Sequence, residues 1–269
     1  MTVLKQLSYT YLHTLACSYQ VFLRYEGKLK GPITSHLALG NAAHLALEML
    51  HLNKLSRQEM MQIYLDEYER ITQEDNFFAT YPQIKKGQGE GVNMLTKYYD
   101  QMEAGYISST PLAVEKEFRL PILDIEIVGK IDKVEESSEG LIVTDYKSGS
   151  TKPAEWLLRR NLQFTAYYWA CKEMYGEYPA KVQWHHLRTG EILTSERDEW
   201  DIEQLKRIVE AAIHLQNQDL RYRVYHEKVC GWCDYSGING ACDDPLRARY
   251  ARRNPRSRVK SSGWSSSQS

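Results

Sequence analysis

The chain has 269 residues, of which 42% are hydrophobic and 26% are charged, and its formal net charge is −1. These proportions are typical of a globular protein and exclude collagen, a coiled coil or wholesale disorder. The longest stretch without a formal charge, residues 6–23, contains too many polar side chains for a bilayer span, so we expect a cytoplasmic protein without a membrane partner.

The near-zero net charge conceals a basic tail. Seven of the 34 Lys and Arg residues follow Pro245 and all 35 acidic residues precede it, which leaves residues 1–245 with a net charge of −8. The last residues are rich in serine and cannot build a core. We therefore expect a single domain over residues 1–245 and a disordered tail, 246–269, that either contacts phosphate or only solubilises the chain.

The first part of the chain is predicted to be helical. Ser35 is placed to cap a helix whose apolar residues follow helical spacing as far as Met49. Ser56 and Glu59 form the pattern of a capping box, which predicts the start of a second helix. Residues 86–105 are predicted to form a third helix, weakened by three glycines.

From Pro111 onwards, apolar and polar residues alternate in segments rich in Val and Ile, which predicts strands. Helical patterns alternate with strands in the rest of the chain. The predicted elements are strands 113–120, 122–134 and 141–147, helix 161–175, strand 181–187, a short strand after the turn 188–190, and helix 201–216. This order predicts an α/β domain with a small mixed central β-sheet flanked by helices.

Two predicted neighbouring strands carry an acidic pair. If Glu136 pairs with Leu141, then Asp132 lies opposite Asp145, and Lys147 shares their face. Carboxylates roughly 5 Å apart repel each other unless a cation lies between them. Magnesium or manganese suits such oxygen ligands. A solvated ion pair on a hairpin is the alternative that this pattern leaves open.

Four motifs in a fixed order resemble those of the PD-(D/E)XK nuclease superfamily, in particular its RecB-like branch. The matching segments are Gly40-Asn41-Ala42-Ala43-His44 for G-x-x-x-H, Gly129-Lys130-Ile131-Asp132 for G-x-(I/V)-D, Asp145-Tyr146-Lys147-Ser148-Gly149 for D-Y-K-(S/T)-G, and Gln163-Phe164-Thr165-Ala166-Tyr167 for Q-x-x-x-Y. The resemblance implies a restriction-endonuclease-like core and a metal-dependent DNA exonuclease.

The resemblance also implies roles for single residues. The implied ligands of Mg²⁺ or Mn²⁺ are His44, Asp132, Asp145 and the carbonyl group of Tyr146. Lys147 would orient the attacking water and stabilise charge on the phosphate, and Gln163 and Tyr167 would steer DNA or support Lys147. Without the resemblance, His44 is more simply a histidine packed on a helix face.

Three of the five cysteines, Cys230, Cys233 and Cys242, are spaced as C-x2-C-x8-C in a polar loop. Resemblance to the RecB-like branch that includes AddB and the CRISPR-associated exonucleases implies that Cys17 joins them to hold a [4Fe-4S] cluster. Such a cluster would staple a helical cap to the core and have a structural role. Zinc is the chemical alternative, with His226 in place of Cys17. Cys171 is predicted to be a small core residue.

The expected substrate is DNA that is single-stranded or has free ends. The chain contains no phosphate-binding G-x-x-x-x-G-K-(S/T) loop, so a helicase, CRISPR or recombination partner would be a separate protein. Lys152, Arg159 and Arg160 are candidates for a local basic path for DNA, or are merely solvated charges. The alternative functions are a non-catalytic, cluster-containing DNA-binding or adaptor subunit and a restriction-type endonuclease.

Overall fold

A computed structural model describes residues 5–15, 17–74, 77–152, 154–216, 233, 235 and 242. The chain divides into two compact units. Of the described residues, the first unit contains those within 10–32 and 212–216 together with 233, 235 and 242, and the second contains those within 5–9 and 33–211. Among the described helices, none has the length and apolar character needed to cross a membrane. The predicted tail, 246–269, lies outside the described residues, and the single domain over residues 1–245 stays a prediction.

In the first unit, the segment before Pro32 is helical. It contains all but the first residue of α1 (Tyr9–Thr14), then α2 (Ser18–Val21) and a π-helical turn, Phe22–Glu26. The hydroxyl group of the buried Tyr235 donates a hydrogen bond to the carbonyl oxygen of Leu29, at 2.7 Å. This bond joins the two chain segments that make up the unit.

The strands of the second unit form a mixed sheet. In chain order they are β1 (Gln6–Ser8), β2 (Ile33–Thr34), β3 (Phe77–Phe78), β4 (Ala113–Ile122), β5 (Ile125–Ser137), β6 (Gly140–Lys147), β7 (Lys181–His186) and β8 (Glu191–Ser195). Strands β2 and β3 form a separate parallel pair, and the other six form one sheet. Strand β5 is parallel to β1 and antiparallel to β4 and β6, whereas β7 is parallel to β6 and antiparallel to β8. The prediction of a mixed central sheet is confirmed.

One edge of β5 is interrupted. Strand β4 pairs with β5 along its other edge over residues 125–134. On the interrupted edge, β1 pairs with Glu126–Val128 and β6 pairs with Lys133–Ser137. Among the described strands, none pairs with Gly129–Asp132 on this edge. The G-x-(I/V)-D motif therefore lies in a gap between two strands, where its groups are accessible to side chains.

The hairpin that joins β5 to β6 has the predicted register. Glu136 pairs with Leu141, as the sequence analysis proposed. The predicted four-residue loop is shorter, however, because Ser137 pairs with Gly140, whose positive φ of 118° suits glycine. The paired region ends one step before Asp132 and Asp145, and from there β6 continues beside β7.

The described helices of the second unit lie on both faces of the sheet. They are α3 (Ser35–Asn53), α4 (Arg57–Thr72), α5 (Tyr81–Glu103), α6 (Glu155–Arg159), α7 (Leu162–Tyr175) and α8 (Glu199–Gln216), the last of which extends into the first unit. Helices α3, α4 and α5 share a core with Tyr146, whereas α7 packs on β4 and β7. The prediction of helices flanking a central sheet is confirmed.

The helix caps differ from the predictions in two places. Thr34, rather than Ser35, caps α3, because its hydroxyl oxygen accepts the backbone N–H of Leu37. The predicted capping box at Ser56 is present. Helix α5 begins at Tyr81 instead of residue 86, since the backbone N–H of Thr80 donates to a side-chain oxygen in the first turn.

Two of the glycines in α5 are packing residues. The Tyr64 hydroxyl group donates to the carbonyl oxygen of Gly87, and a Cβ at Gly91 would overlap the Tyr64 ring. The tyrosine can lie against α5 because Gly91 has no side chain. The glycines that weaken the helix propensity thus permit close packing between α4 and α5.

Replacing Gly91 with alanine is therefore expected to lower the free energy of unfolding by about 1–3 kcal/mol, because overpacking outweighs the gain in helix propensity. Gly89 is the matched control: a Cβ there meets nothing within 4 Å. Alanine at Gly89 should stabilise the protein by about 0.5–1 kcal/mol. Urea denaturation of the two variants measures both effects, and equal shifts would contradict the packing argument.

A chain of buried polar groups lies behind β6. Lys133 is almost completely buried and pairs with Glu135 at 3.0 Å. The Tyr98 hydroxyl oxygen lies 2.7 Å from His51 Nε2 and 2.8 Å from the Tyr146 hydroxyl oxygen. Burial, together with the charge of Lys133, lowers the pKa of His51 to about 4.

Stability is expected to fall as the pH decreases from about 6.5 towards 4. Burial also lowers the pKa of His185 to about 4. In this range the unfolded chain takes up protons at His51 and His185 that the folded chain does not bind, at a cost of up to about 3 kcal/mol each. Thermal unfolding from pH 7 to pH 4.5 measures the loss. His185→Gln should flatten the pH dependence, whereas the same change at the exposed His214 should not; equal slopes in both variants would contradict this.

Candidate active site

A pocket of about 580 Å³ lies among α3, β4, β5, β6 and α7. The residues for which the resemblance implied a role at the metal or in catalysis all line it: His44, Asp132, Asp145, Tyr146, Lys147, Gln163 and Tyr167. These residues are up to 123 positions apart in the sequence. The fold thus brings together every predicted site residue outside the cysteine group.

Three acidic residues occupy one cross-strand row of the sheet. Continuing the β5–β6 register one residue past its last pair places Asp132 opposite Asp145. Glu115 falls opposite Asp132 in the β4–β5 register, between the paired residues on either side of it. Glu115 is not among the site residues predicted from the sequence. The signal was available, because counting back from the Ile122–Ile125 pair at the β4–β5 turn leads to the same position. Cross-strand neighbours share a face, so all three carboxylates lie at the pocket.

A candidate metal-binding group consists of His44, Glu115 and Asp132, which each offer a ligand atom within 4.8 Å of the others. His44 Nδ1 lies 3.6 Å from Asp132 Oδ2 and 3.9 Å from Glu115 Oε1. The second oxygen of Glu115 lies 3.3 Å from Lys130 Nζ. Glu115 has a φ of +46°, a conformation that is costly for a residue with a side chain and is concentrated at functional sites.

Both backbone groups of Tyr146 face this cluster. Its N–H donates to Asp132 Oδ2 at 2.7 Å, and its carbonyl oxygen lies 3.2 Å from His44 Nε2. Because β6 has left β5 at this point, side chains of the site contact groups that a strand would otherwise bind. The Tyr146 carbonyl is therefore directed at the imidazole that the resemblance implied as a co-ligand.

Asp145 pairs with the lysine two residues on. Its Oδ2 lies 2.5 Å from Lys147 Nζ, which confirms the prediction that the two share a face. The carboxylate is buried, and Oδ2 has no hydrogen-bond partner of acceptable geometry among the described residues. Lys147 Nζ also lies 5.7 Å from the centre of the Trp184 ring. Asp145 lines the pocket but is not part of the three-residue group at His44.

The Q-x-x-x-Y pair on α7 supports this arrangement. Gln163 Nε2 donates to the Tyr167 hydroxyl oxygen at 2.6 Å. That hydroxyl group lies 2.9 Å from the carbonyl oxygen of Lys130 and 3.2 Å from Asp145 Oδ1, and its one proton is shared between these two acceptors. Tyr167 therefore binds a backbone group exposed in the gap of β5 and one oxygen of the buried carboxylate.

Gly129 explains why this tyrosine can approach. A Cβ at Gly129 would lie 2.5 Å from Cζ of Phe118, whose ring crosses the glycine and meets the Tyr167 ring edge-on at 5.9 Å. A larger residue would displace Phe118 and with it the packing of Tyr167. The glycine of the G-x-(I/V)-D motif is therefore required for packing.

The charged groups of the site shift one another's pKa values. Burial opposes charge on His44, but the adjacent Asp132 and Glu115 raise the pKa of His44 to about 10. Burial raises the pKa of Asp145, although the Lys147 ammonium opposes this shift. Burial likewise opposes the charge on Lys147, yet Asp145 raises the pKa of that lysine. The carboxylates thus favour positive charge on both neighbouring basic groups.

Oxygen and imidazole donors of this kind suit a divalent cation. The group of His44, Glu115 and Asp132 is the feature that a cation would satisfy. The residues present therefore fit Mg²⁺ or Mn²⁺. They also hold a lysine next to the acidic row, where it can contact an anionic substrate.

The predicted cysteine cluster is not confirmed. Cys17, Cys233 and Cys242 are described and lie in the same compact unit, whereas Cys230 and the alternative ligand His226 lie outside the described residues. No group of three candidate ligand atoms within 4.8 Å includes any of these three described cysteines. A cysteine-stapled cap is therefore not shown. Cys171 is fully buried on α7, as predicted for a core residue.

Solved structures provide a comparison of the fold. One neighbour, from Eubacterium rectale and named "Putative exonuclease", has a TM-score of 0.54 and 10% sequence identity, with 85% of this chain and 87% of the neighbour covered. Another, named SSO0001, has a TM-score of 0.43 and 16% identity over 90% of this chain and 89% of that one. At these identities, the first neighbour supports similarity of fold alone.

Sequence comparison gives a more direct assignment. No curated protein matches the chain significantly. The family profile described as the PD-(D/E)XK nuclease superfamily matches residues 6–238, which is most of the chain and includes all four motifs. The chain belongs to the PD-(D/E)XK nuclease superfamily.

Proposed function

We propose that this protein is a divalent-metal-dependent DNA exonuclease of the RecB-like type, which hydrolyses phosphodiester bonds at DNA ends. The observation that supports this most is one pocket containing the group His44, Glu115 and Asp132 beside the ion pair of Asp145 and Lys147. The ion pair contains a buried carboxylate, and two further carboxylates and an imidazole line the same pocket. The superfamily is one of nucleases, and a structural neighbour carries an exonuclease name.

The metal ligands in this proposal are His44, Glu115, Asp132 and the Tyr146 carbonyl, with Asp145 as a further carboxylate at the same pocket. Asp132 is already oriented by the Tyr146 N–H, so little side-chain freedom remains to be lost on binding. A bound Mg²⁺ or Mn²⁺ would supply a Lewis acid for the phosphate oxygen and lower the pKa of a coordinated water.

Lys147 stabilises negative charge in the reaction. Its ammonium group is held by Asp145 and is about one-third exposed, so it can reach a phosphate in the pocket while remaining positioned. Charge stabilisation by a preorganised cation favours the transition state, in which charge on the phosphate increases. Gln163 and Tyr167 position Asp145, and through it they position the lysine.

The test is cleavage of end-labelled DNA by the purified protein with Mg²⁺, Mn²⁺ or EDTA. The proposal expects metal-dependent shortening of linear single- or double-stranded DNA and no cleavage of closed circles. Fragments of defined length from closed circles would instead indicate a restriction-type endonuclease. Binding to DNA without cleavage under any metal condition would refute the proposal and favour the adaptor function.

An iron–sulfur cluster at Cys17, Cys230, Cys233 and Cys242 is proposed on the resemblance alone. The one structural observation that supports it is that the three described cysteines belong to the same compact unit. Protein purified without oxygen should be brown and contain iron and sulfide, and Cys233→Ser should remove the colour. Colourless protein that contains zinc would refute the iron–sulfur assignment. Cys171→Ser is the control, and it should keep the colour because Cys171 lies outside the group.

A further inference from the structure

An exposed aromatic residue lies in the segment that joins the D-Y-K-(S/T)-G motif to α7. This segment leaves the pocket at Gly149 and returns to it at Gln163, with α6 in between. Trp156 on α6 is 61% exposed, and the adjacent Leu157 is 41% exposed. The indole ring therefore offers a large flat apolar surface to solvent.

The position of Trp156 does not result from a loosely held loop. Leu158 on the same helix is buried. The guanidinium group of Arg197, itself largely buried, donates to the carbonyl oxygens of Leu158 and Asn161 and lies 5.8 Å from the centre of the Phe164 ring. The end of α6 is thus fixed to the body of the second unit, and the tryptophan is presented on an anchored support.

One basic group contacts the exposed ring, and a second follows on the same helix. The Arg160 guanidinium lies 6.0 Å from the centre of the Trp156 ring, and Arg159 is exposed nearby on α6. Neither arginine pairs with a carboxylate within the part of the chain that the structure describes. The segment 148–162 has a net charge of +2, whereas residues 1–245 together carry −8. The charge is therefore locally complementary to a polyanion.

We propose that Trp156 and Arg160 bind the unpaired end of a DNA strand, with a base stacked on the indole ring and the guanidinium on the adjacent phosphate. The proposal rests on the proposed nuclease function and specifies its substrate as single-stranded. In a duplex, both faces of every internal base are covered by its neighbours, so away from the duplex ends only an unpaired base can lie on Trp156. Stacking of this kind tolerates any sequence, because every base has a planar face.

A binding assay without metal tests the proposal independently of cleavage. The probe is a fluorescein-labelled oligothymidylate, and its anisotropy is measured in EDTA with wild type and variants. Trp156→Ala should weaken binding by about tenfold, as expected for the loss of one stacked base. Trp156→Phe should retain most of the affinity because it keeps a ring. Binding of an internally labelled closed circular duplex, which has no free base face, should not change in Trp156→Ala.

Trp200 provides the matched control. It is 66% exposed on α8, and no cation–aromatic contact involves it among the described residues. Trp200→Ala should leave the oligothymidylate affinity unchanged. The proposal is overturned if Trp156→Ala binds the probe as wild type does, if Trp200→Ala weakens binding equally, or if wild type does not bind the probe.

The assay separates this inference from the nuclease function. If DNA is bound through Trp156 but is never cleaved, then the exonuclease proposal fails and the stacking site stands. If cleavage is normal and Trp156→Ala alters neither probe affinity nor KM, then the stacking site fails and the nuclease stands. With both correct, Trp156→Ala raises KM for single-stranded DNA by about the loss in affinity and changes kcat little.

Discussion

Replacing Lys147 with alanine is expected to lower the rate of metal-dependent DNA cleavage by about 10²–10³-fold, the usual effect of removing one preorganised charge-stabilising group. The loss should appear in kcat, because the lysine contributes to the transition state more than to binding of the DNA. Its Nζ is held 2.5 Å from Asp145 Oδ2, on the face of the sheet that carries the acidic row. Single-turnover cleavage of end-labelled DNA in Mn²⁺ measures the effect.

The control for this change is Lys181→Ala. Lys181 lies on the neighbouring strand β7, has a similarly exposed side chain and pairs with Glu139 at 2.7 Å, away from the pocket. The Lys181→Ala variant should cleave DNA as wild type does. Thermal unfolding must show that Lys147→Ala is folded; a folded variant that cleaves at the wild-type rate would mean that Lys147 is not the charge-stabilising group.

Asp132→Asn is expected to weaken Mn²⁺ binding by at least about 100-fold and to abolish cleavage. Asp132 is the central member of the acidic row and lies within reach of both His44 and the Tyr146 N–H. Asparagine keeps the shape and an oxygen acceptor for that N–H but loses the charge. Because a bound cation stabilises only the folded state, wild type should unfold at a higher temperature with Mn²⁺ present, and the variant should not.

Glu126→Gln is the matched control on the same strand. Glu126 is half-buried on β5 and contacts Gln6 and Arg119 outside the pocket. The Glu126→Gln variant should retain the Mn²⁺-dependent rise in unfolding temperature and the cleavage activity. A metal-dependent rise of equal size in Asp132→Asn would show that the cation binds elsewhere, so that both the ligand assignment and the proposed chemistry would be wrong.

The geometry of the acidic hairpin could be predicted because an antiparallel register follows from a single pair. Once Glu136 is set opposite Leu141, the position of Asp132 opposite Asp145 follows by counting, and the structure confirms the pair on which this rests. The same counting across the preceding turn locates Glu115, but one acidic residue among the charged residues Lys116 and Glu117 gave no reason to count. Its unusual backbone conformation cannot be read from residue type.

Pairing between strands that are far apart in the sequence could not be predicted in this way. Strand β1 has three residues and pairs in parallel with a part of β5 about 120 positions later, so no local pattern could reveal the partner. The gap in β5 follows from that pairing and was equally hidden. Helix α5 begins earlier than expected because Thr80 starts a capping box that precedes the apolar spacing. Glycines lower the helix propensity of this segment, and the reason for their presence, close packing against tyrosines of α4, is visible only in the structure.

The peptide group of Tyr146 offers a local measurement that does not depend on catalysis. Its N–H is bound by a carboxylate side chain, whereas a strand partner protects most amides of a sheet. Deuterium uptake at this amide therefore depends on how firmly Asp132 is held. A cation that immobilises the carboxylate should slow exchange at position 146 more than at Val143, whose strand pairing is independent of the pocket. A single backbone amide thus reports on occupancy of the metal site.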